Sequence, residues 1–236
     1  MKFDKAKFIY NSNAIEGVDT PLKEVEKAIR LNESKDQHIL NHLKAFEYVD
    51  KLEHPLTTPG LMGIHQRLSH KILDKKDCGT FRKCDVTVGP HSPPNWRKVS
   101  NLVNDLLSAV NTKKDPWLSH MEFEYIHPFI DFNGRTGRIL LYWQEKSQGK
   151  DPQTILSEGR HQNYYSKIIE YDTRERPMLW KIKVWRKTLT RNESYVCTQC
   201  GTHHEKVIKK CGTCGNADES KFQIYTEAPP FVGPIV

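Results

Sequence analysis

The sequence predicts a mainly α-helical domain followed by a small cysteine-bearing module. Apolar residues recur at helical spacing along most of the chain. Within the stretch Cys78–Trp96, apolar and polar residues alternate as they would in a β-strand. Four of the six cysteines cluster after Tyr195. A chain of 236 residues is long enough for one substantial domain with a small appendage.

Helical patterns account for the first third of the chain. Thr20 as N-cap and Pro21 at the first helical position predict a helix with Val25 and Ile29 on its apolar face. Two further helices are predicted in "SKDQHILNHLKAFEYVDKL" and in Thr58–Leu73. Their apolar stripes are, respectively, Ile39, Leu43 and Phe46, and Leu61, Ile64, Leu68 and Ile72.

The pattern changes at "CGTFRKCDVTVGPHSPPNW", which predicts a short strand or hairpin because it alternates over "DVTVG" and ends in prolines. Helical periodicity then resumes. It predicts helices in "VSNLVNDLLSAVN", in "HMEFEYIHPF", in a segment ending near Gly149, in "ILSEGRHQNYYSKIIEYD" and in "RPMLWKIKVWRKTLTR".

Composition indicates a globular protein that is not embedded in a membrane. Apolar residues make up 37% and charged residues 28% of the chain. The longest apolar run, "ILLYW", is far shorter than the ~20 residues that span a bilayer, and the N-terminus lacks the apolar core of a signal peptide. We therefore expect a cytoplasmic protein without a membrane partner. Its net charge of +7 favours anionic partners such as nucleotides or nucleic acid.

The segment "HPFIDFNGRTGRILLYW" (His127–Trp143) concentrates chemically active residues at the predicted start of a helix. An Asn-Gly turn entering a helix presents free backbone N–H groups at the positive end of the helix dipole, which favours an anion. Arg135 and Arg138, one turn apart, suit a polyphosphate. Asp131 could hold a Mg²⁺ that bridges phosphate oxygens, and His127 could accept a proton from an incoming hydroxyl.

This segment resembles the signature of Fic-domain proteins, His-Pro-Phe-x-Asp/Glu-Gly-Asn-Gly-Arg-x-x-Arg. The preceding "HMEFEYI" and the segment "GTFRKCDVTVG...PP" are similar to the approach helix and the β-hairpin flap of that family. The resemblance covers roughly Asn11 to Lys187. It implies a Fic-type helical bundle with a β-hairpin flap, to which a small zinc-ribbon-like C-terminal module is added.

The resemblance also implies a reaction, the transfer of AMP from Mg-ATP to a Ser, Thr or Tyr hydroxyl of a target protein, which could be the protein itself. It implies that His127 is the general base, Asp131 the Mg²⁺ ligand and the Asn133–Gly134 backbone the anion hole. Arg135 and Arg138 would hold the β- and γ-phosphates. A flap of Lys83, Cys84, Asp85, Val86, Thr87, Val88 and Gly89 would dock the target by adding a strand to it.

Phe132 departs from the family pattern, because glycine usually stands there. Glycine lets the backbone approach phosphate and adopt a positive φ. Since a positive φ is costly for a bulky residue, we expect Phe132 to adopt an ordinary backbone conformation, with its ring packed outward or against the adenosine. Gly134 is retained, which argues against the phosphotransferase branch of the family, where a lysine usually stands.

Near the N-terminus, Ser12-x-x-x-Glu16-Gly17 resembles the inhibitory motif of the same family. The spacing places Ser12 and Glu16 on one face of a helix, and Gly17 is a natural helix stop. The resemblance implies that the Glu16 carboxylate pairs with Arg138 and competes with the γ-phosphate of ATP. A plain helix cap is the alternative. In related proteins the same glutamate can assist the hydrolytic removal of AMP.

The four clustered cysteines predict a structural zinc site. Cys197-x2-Cys200 and Cys211-x2-Cys214 are separated by ten residues, and each pair is followed by glycine, as in the knuckles that present thiolates to Zn²⁺. A redox role is the alternative. The basic helix predicted just before this cluster would fit nucleic acid or a target protein, or it is an amphipathic helix with solvated lysines.

Together these patterns divide the chain into three parts. Residues 1–20 form an N-terminal inhibitory region, 21–190 the Fic core, and 191–236 the zinc module with a Pro-rich tail. Three functions remain open: an autoinhibited adenylyltransferase, an enzyme that removes AMP or transfers another nucleotide or phosphate group, and a catalytically silent module that binds nucleic acid or protein.

Overall fold

The computed structural model describes residues 3–89, 91–112 and 115–175, together with three short strands near the C-terminus. The chain forms two compact units, Met1–Tyr171 and Asp172–Val236. The helix predicted in "RPMLWKIKVWRKTLTR" and the boundary predicted near Arg191 lie outside the described residues. The same holds for Cys200, Cys211 and Cys214, whereas the backbone of Cys197 is described.

The described chain is mainly helical, which confirms the prediction of a mainly α-helical domain. A 3-10 turn at Trp96–Lys98 precedes the fifth helix, and a π-helical turn at His161–Tyr165 precedes the last. The helices are α1 (Lys5–Ile15), α2 (Leu22–Leu31), α3 (Gln37–Val49), α4 (Thr58–Ser69), α5 (Val99–Asn111), α6 (Pro116–Ile126), α7 (Asn133–Ser147) and α8 (Ser166–Glu175).

Helix α7 is the central element of the first unit. Its residues from Arg135 to Glu145 are all buried, and it packs against α1, α3, α4 and α6. Aromatic rings fill one side of it, with Tyr142 edge-on to Phe46 at 4.9 Å between ring centroids. An amphipathic helix buries one stripe, but a helix enclosed on all sides must be apolar around most of its surface, as "ILLYW" is. This packing places the N-terminus of α7 inside the unit.

The structure corrects several helix details. Helix α2 begins at Leu22 without a side-chain cap, and the hydroxyl of Thr20 instead accepts a hydrogen bond from Asn13 Nδ2 at 3.3 Å. Ala28 faces the core while Ile29 is 37% exposed.

Two helix ends also differ from the predictions. Helix α4 ends at Ser69, so Ile72 is not part of it, because His70 is extended with ψ of 130° and Lys71 follows with φ of 59°. Helical structure after Ile155 begins only at His161.

The segment predicted as a hairpin forms only its turn. Among the described residues of Cys78–Trp96 there is no strand, but Val88 and His91 exchange two backbone hydrogen bonds of 3.0 and 2.9 Å. The carboxylate of Asp85 accepts hydrogen bonds from Asn95 Nδ2 and from the backbone N–H of Trp96. The segment is therefore a closed loop with a two-residue bridge.

Within the second unit, the described residues form a three-stranded antiparallel sheet. Strand β1 (Glu193–Cys197) lies between β2 (His203–His204) and β3 (Phe222–Thr226). Tyr195 pairs with His204 on one side and with Ile224 on the other. In the described part of the chain, no helix is long and apolar enough to cross a bilayer.

Candidate functional site

The loop from His127 to Phe132 joins α6 to α7 and is bounded by two left-handed residues. His127 ends α6 with φ of 48°, and Phe132 precedes α7 with φ of 59°. The Asn133 side chain holds the loop from within, since its Oδ1 accepts from Phe129 N at 2.9 Å and its Nδ2 donates to Phe129 O at 3.0 Å. The ring of Phe129 stacks on His65 at 3.8 Å. These contacts fix the conformation of the loop between its two ends.

The conformation predicted for Phe132 is wrong. Its backbone is left-handed, as glycine would be, and its ring is neither outward-facing nor exposed but only 2% accessible. The ring lies parallel to His38 and supports the guanidinium of Arg135, whose Cζ is 3.5 Å from the ring centroid. Burial and this cation–π contact offset the backbone strain, which for a non-glycine residue is of order 1–3 kcal/mol.

Arg138 is the most enclosed charged residue of the site, with 2% of its surface accessible. Its Nη2 contacts Glu16 Oε1 at 2.7 Å and also donates to the Ser12 carbonyl at 2.8 Å. Its Nε donates to the Ser12 hydroxyl at 3.0 Å, and Nη1 lies 3.5 Å from the Tyr164 hydroxyl. Although burial disfavours the charge, the carboxylate of Glu16 prevails and raises the pKa of Arg138.

The carboxylate of Glu16 lies directly against the first turn of α7. Helix α1 ends at Ile15, and Gly17 follows with φ of 76°, which turns the chain away. A Cβ added at Gly134 would clash with Glu16 Oε1, so a glycine is required there for the carboxylate to come this close. Burial raises the pKa of Glu16, but Arg138 and Arg135 outweigh it and the net shift is downward. Glu16 is therefore an anion at the start of α7.

Arg135 lies one turn before Arg138 and is held by different partners. Its Nη1 is 3.2 Å from His38 Nδ1, and its Nη2 is 3.8 Å from Asp131 Oδ1. Its buried Nε has no hydrogen-bond partner among the described residues. No side chain caps α7. An arginine donor left unsatisfied beside an uncapped helix N-terminus is suited to an additional anion.

His127 is neutral at physiological pH. Burial, His91 and Arg82 together lower its pKa to about 4, and Glu16 opposes this only in part. Its Nδ1 is buried and makes no hydrogen bond within the described part of the chain. A neutral imidazole has a free ring nitrogen that can accept a proton.

Asp131 is the one candidate Mg²⁺ ligand in the described loop. Its surroundings fit that ion only if phosphate oxygens supply further ligands. Its side chain is 57% exposed, and Oδ1 accepts a hydrogen bond from Phe132 N. Nowhere among the described residues do three or more His, Cys, Asp or Glu side chains form a metal-binding group. Mg²⁺ is commonly held by one or two carboxylates together with substrate phosphates and water, so a single exposed carboxylate suffices.

The structure adds three site residues that the sequence analysis missed. Tyr164 donates to, or accepts from, His120 Nε2 at 2.9 Å and lies beside Arg138. Glu124 has a buried Oε1 with no hydrogen bond among the described residues, 3.9 Å from His120 Nε2, and it lies against Gly137, where a Cβ would clash with it. His120 and Glu124 precede His127 by seven and three residues on one helix, a spacing that could have revealed them. Tyr164 has no local signal.

The expected docking segment lies at the surface beside this site. Residues Lys83, Cys84, Asp85, Thr87, Val88 and Gly89 are exposed and Val86 is partly buried. The segment starts next to Arg82, whose side chain is buried and bonds the His127 carbonyl at 2.8 Å.

Part of the chain is similar in sequence to known proteins. Residues 55–144 match the Fic/DOC family. The chain is 31% identical over 176 residues to the protein adenylyltransferase Fic of Aedes aegypti and 32% identical over 180 residues to that of Nematostella vectensis. Each alignment covers 66% of this chain, which spans only 35% and 41% of those relatives' lengths.

Solved structures share the fold. A Fic-domain-containing signalling protein from Bacteroides thetaiotaomicron superimposes with a TM-score of 0.62 at 21% identity, over 72% of both chains. A Fic family protein from Desulfovibrio desulfuricans superimposes with a TM-score of 0.61 at 24% identity, over 72% of this chain and 57% of that one. Residues 55–144 are therefore a Fic/DOC-family segment, and the chain shares the fold of solved Fic-domain structures.

Proposed function

We propose that this protein is an autoinhibited protein adenylyltransferase that transfers AMP from Mg-ATP to a Ser, Thr or Tyr hydroxyl of a target protein. One observation carries the proposal: the Glu16 carboxylate is bound to Arg138 at the uncapped N-terminus of α7. The helix N-terminus already holds one anion, the Glu16 carboxylate. The unsatisfied Nε of the neighbouring Arg135 and the helix dipole can stabilise additional negative charge there. The names of the relatives point to the same reaction.

The nucleotide site would be assembled from the residues around this helix end. The N–H groups of Asn133 and Gly134 precede the first intrahelical hydrogen bond, which Thr136 N makes to Phe132 O at 3.0 Å. Together with Arg135 and Arg138 they present the donors that a triphosphate needs. A Mg²⁺ held by Asp131 would supply charge neutralisation to phosphate oxygens as the pyrophosphate leaves.

In the proposed reaction His127 acts as general base. Its neutral imidazole takes the proton of the target hydroxyl while the hydroxyl oxygen forms a bond to the α-phosphorus of ATP. The bond between the α-phosphorus and the bridging oxygen of the β-phosphate breaks, and pyrophosphate carries away the electron pair. The products are the AMP ester of the target, pyrophosphate and a proton held on His127.

Glu16 would inhibit this reaction by charge competition. Both N–H donors of Arg138 Nη2 are taken by Glu16 and by the Ser12 carbonyl, and Nε is bonded to the Ser12 hydroxyl, so Nη2 has no donor left for a γ-phosphate. Removal of the carboxylate frees Nη2 for the nucleotide. A second candidate, removal of AMP from a target, is favoured by the proximity of Glu16 to His127, where a carboxylate could orient water.

The remaining parts of the proposal concern docking and metal. The exposed segment Lys83–Gly89 would dock the target backbone by strand addition, which gives affinity through main-chain hydrogen bonds. The second unit would hold one structural Zn²⁺ through Cys197, Cys200, Cys211 and Cys214 and contribute to target recruitment, with nucleic acid as a weaker candidate partner. We place the protein in the cytoplasm.

The test uses the full chain with α-labelled ATP and Mg²⁺, and measures label on the protein itself and on added lysate proteins. His127→Ala should lower transfer by about 10²–10⁴-fold, the usual contribution of a positioned general base, with nucleotide binding retained. His70→Ala, at an exposed histidine, is the matched control and should have no effect. Absence of label in both the wild type and the Glu16→Gly variant, or release of AMP as the sole activity, contradicts the proposal.

A further inference from the structure

Four consecutive carbonyl groups at the end of α6 are all bound by two residues of the neighbouring loop. Tyr125 O lies 3.0 Å from His91 Nε2. Arg82 provides the other three bonds. It donates from Nη2 to Ile126 O at 3.4 Å, from Nε to His127 O at 2.8 Å, and from its backbone N–H to Pro128 O at 2.9 Å. The segment that carries the proposed base is therefore fixed from outside its own helix.

The same guanidinium also ties together the two ends of the loop that contains the docking segment. Arg82 Nη1 donates to Cys84 O at 2.8 Å, and Nη2 donates to Pro94 O at 2.5 Å. The side chain is completely buried, and Asp85, 3.7 Å away, is the carboxylate paired with it. An arginine can serve this many acceptors because its planar fork carries five donors in fixed directions, whereas lysine has three donors at one nitrogen.

His127 needs such support because its backbone conformation is unfavourable. Its φ of 48° and ψ of 63° place it in the left-handed region, which costs a non-glycine residue about 1–2 kcal/mol. Its side-chain Nδ1 makes no hydrogen bond within the described residues, so no described side-chain bond at that nitrogen orients the ring. The bond from Arg82 Nε to the His127 carbonyl therefore holds the backbone from which the imidazole projects.

The arrangement also has a favourable electrostatic term. The carbonyl groups of the last turn of α6 carry the negative end of the helix dipole, and the cationic guanidinium of Arg82 lies on them. The interaction stabilises the charged arginine within the protein interior, where an unpaired charge would be costly.

We propose that Arg82, assisted by His91, is a positioning residue that sets the orientation of His127 and couples the docking segment to the catalytic base. The inference rests on the proposed function for its kinetic consequence. Because one guanidinium bonds the His127 carbonyl and the carbonyls of Cys84 and Pro94, a change in the backbone of the docking segment changes the support of the base. A target segment bound to the loop would therefore influence the base as well as be held near it.

The test substitutes Arg82→Lys, which keeps the charge and removes the fork, in the Glu16→Gly background. We expect kcat for self-modification to fall by about 10–100-fold, since small misplacements of a reacting group have effects of this size. The KM for Mg-ATP should stay within about threefold, because Arg82 makes no contact with the nucleotide-binding residues Arg135 and Arg138 among the described interactions. A purely structural role would instead lower thermal stability and active fraction without this separation of kcat from KM.

Arg67→Lys is the matched control. Arg67 also donates to a backbone carbonyl, that of Gly63 at 2.9 Å, and stacks on the Tyr48 ring, but it belongs to α4. It should leave kcat unchanged. If Arg82→Lys does not fold, His91→Ala, which removes the bond to Tyr125 O and the contact with the Tyr125 ring, should lower kcat by about 3–10-fold. A kcat within threefold of the parent in a folded Arg82→Lys protein overturns the inference.

A second measurement separates this inference from the proposed function. The ring resonances of His127, assigned by their loss in His127→Ala, should shift in Arg82→Lys and remain in place in Arg67→Lys. If the parent protein transfers no AMP, the proposed function fails while these resonances still decide whether Arg82 orients His127. Unshifted resonances contradict the positioning role whatever the activity.

Discussion

Glu16 Oε1 lies 2.7 Å from Arg138 Nη2, and the pair joins positions 122 residues apart in the sequence. The contact brings the end of the first helix onto the first turn of the central one. Its geometry explains why glycine stands at position 134, where any side chain would displace the carboxylate. It also predicts how the protein would be activated.

Glu16→Gly should increase AMP transfer. Loss of the carboxylate frees Arg138 for a γ-phosphate, and a coupling free energy of ~1.4–3 kcal/mol corresponds to roughly 10–150-fold activation. The measurement is the initial rate of self-modification with labelled ATP in both proteins. Asp19→Gly, at an exposed carboxylate three residues further on, is the matched control and should behave as the wild type. An unchanged rate in Glu16→Gly would leave Ser12–Gly17 as an ordinary helix end.

The sequence was sufficient for features that depend on local spacing. The helical class, the position of the "NGRTGR" segment at the start of a helix, and the shared face of Ser12 and Glu16 all follow from a period of 3.6 residues. Family resemblance supplied the pairing of Glu16 with Arg138, which the structure shows as an ion pair.

Features set by tertiary contacts were beyond the sequence. Tyr164 reaches Arg138 from a separate part of the chain, and Arg82 was not distinguished from the exposed segment that follows it. Phe132 shows the reason most clearly. Backbone preference argued against a positive φ, but the burial of its ring and its contact with Arg135 outweigh that preference. Such competition is decided by packing, which spacing does not reveal.

Glu124 should make the protein less stable as pH rises. Burial raises its pKa to about 8, with Arg138 opposing the shift and Glu16 adding to it, and its side chain is only 9% exposed. Between pH 4.5 and pH 8 the unfolded chain has released this proton while the folded protein retains it, so the free energy of unfolding falls with increasing pH. Each pH unit in this window corresponds to as much as ~1.4 kcal/mol.

Denaturant unfolding of the wild type and Glu124→Gln at pH 6 and pH 8 checks this. The variant should gain stability relative to the wild type between the two values, by on the order of 1–3 kcal/mol. Glu47→Gln, at an exposed carboxylate on α3, is the control and should show no pH-dependent difference. A constant difference between wild type and Glu124→Gln would mean that Glu124 is already ionised at pH 6.

Purified protein should carry about one zinc per chain, held by Cys197, Cys200, Cys211 and Cys214. Elemental analysis measures the ratio. Cys211→Ser should lower the zinc content, whereas Cys84→Ser, at an exposed free cysteine of the helical unit, should leave it unchanged. Chelation should affect the second unit and leave the helical content of Met1–Tyr171 intact. Absence of zinc, or four disulfide-bonded thiols in the protein as isolated, contradicts this prediction.

The final prediction concerns Phe132, because its buried ring stabilises the folded protein and its left-handed backbone destabilises it. Phe132→Gly relieves a left-handed backbone worth about 1–2 kcal/mol but removes a buried ring, a loss of about 3–5 kcal/mol for Phe→Ala changes in cores. We therefore expect a net destabilisation of about 1–4 kcal/mol. Arg135 would also lose the ring on which it stacks.

Phe132→Leu is the matched variant, since it keeps the backbone strain and most of the apolar bulk while removing the aromatic face under Arg135. Titration of Mg-ATP and Mg-GTP into all three proteins should show dissociation constants that change by less than about tenfold in both variants, a shift under ~1.4 kcal/mol. The reason is that the ring is buried beneath the guanidinium and is not among the atoms nearest to Gly134, which belong to Glu16 and Arg138. Comparable weakening in both variants would assign the stacking contact a role in holding Arg135 for phosphate. A gain of roughly a hundredfold in ATP binding by the glycine variant alone would instead show that Phe132 blocks the nucleotide, and the proposed adenylyltransferase activity of the native protein would then fail.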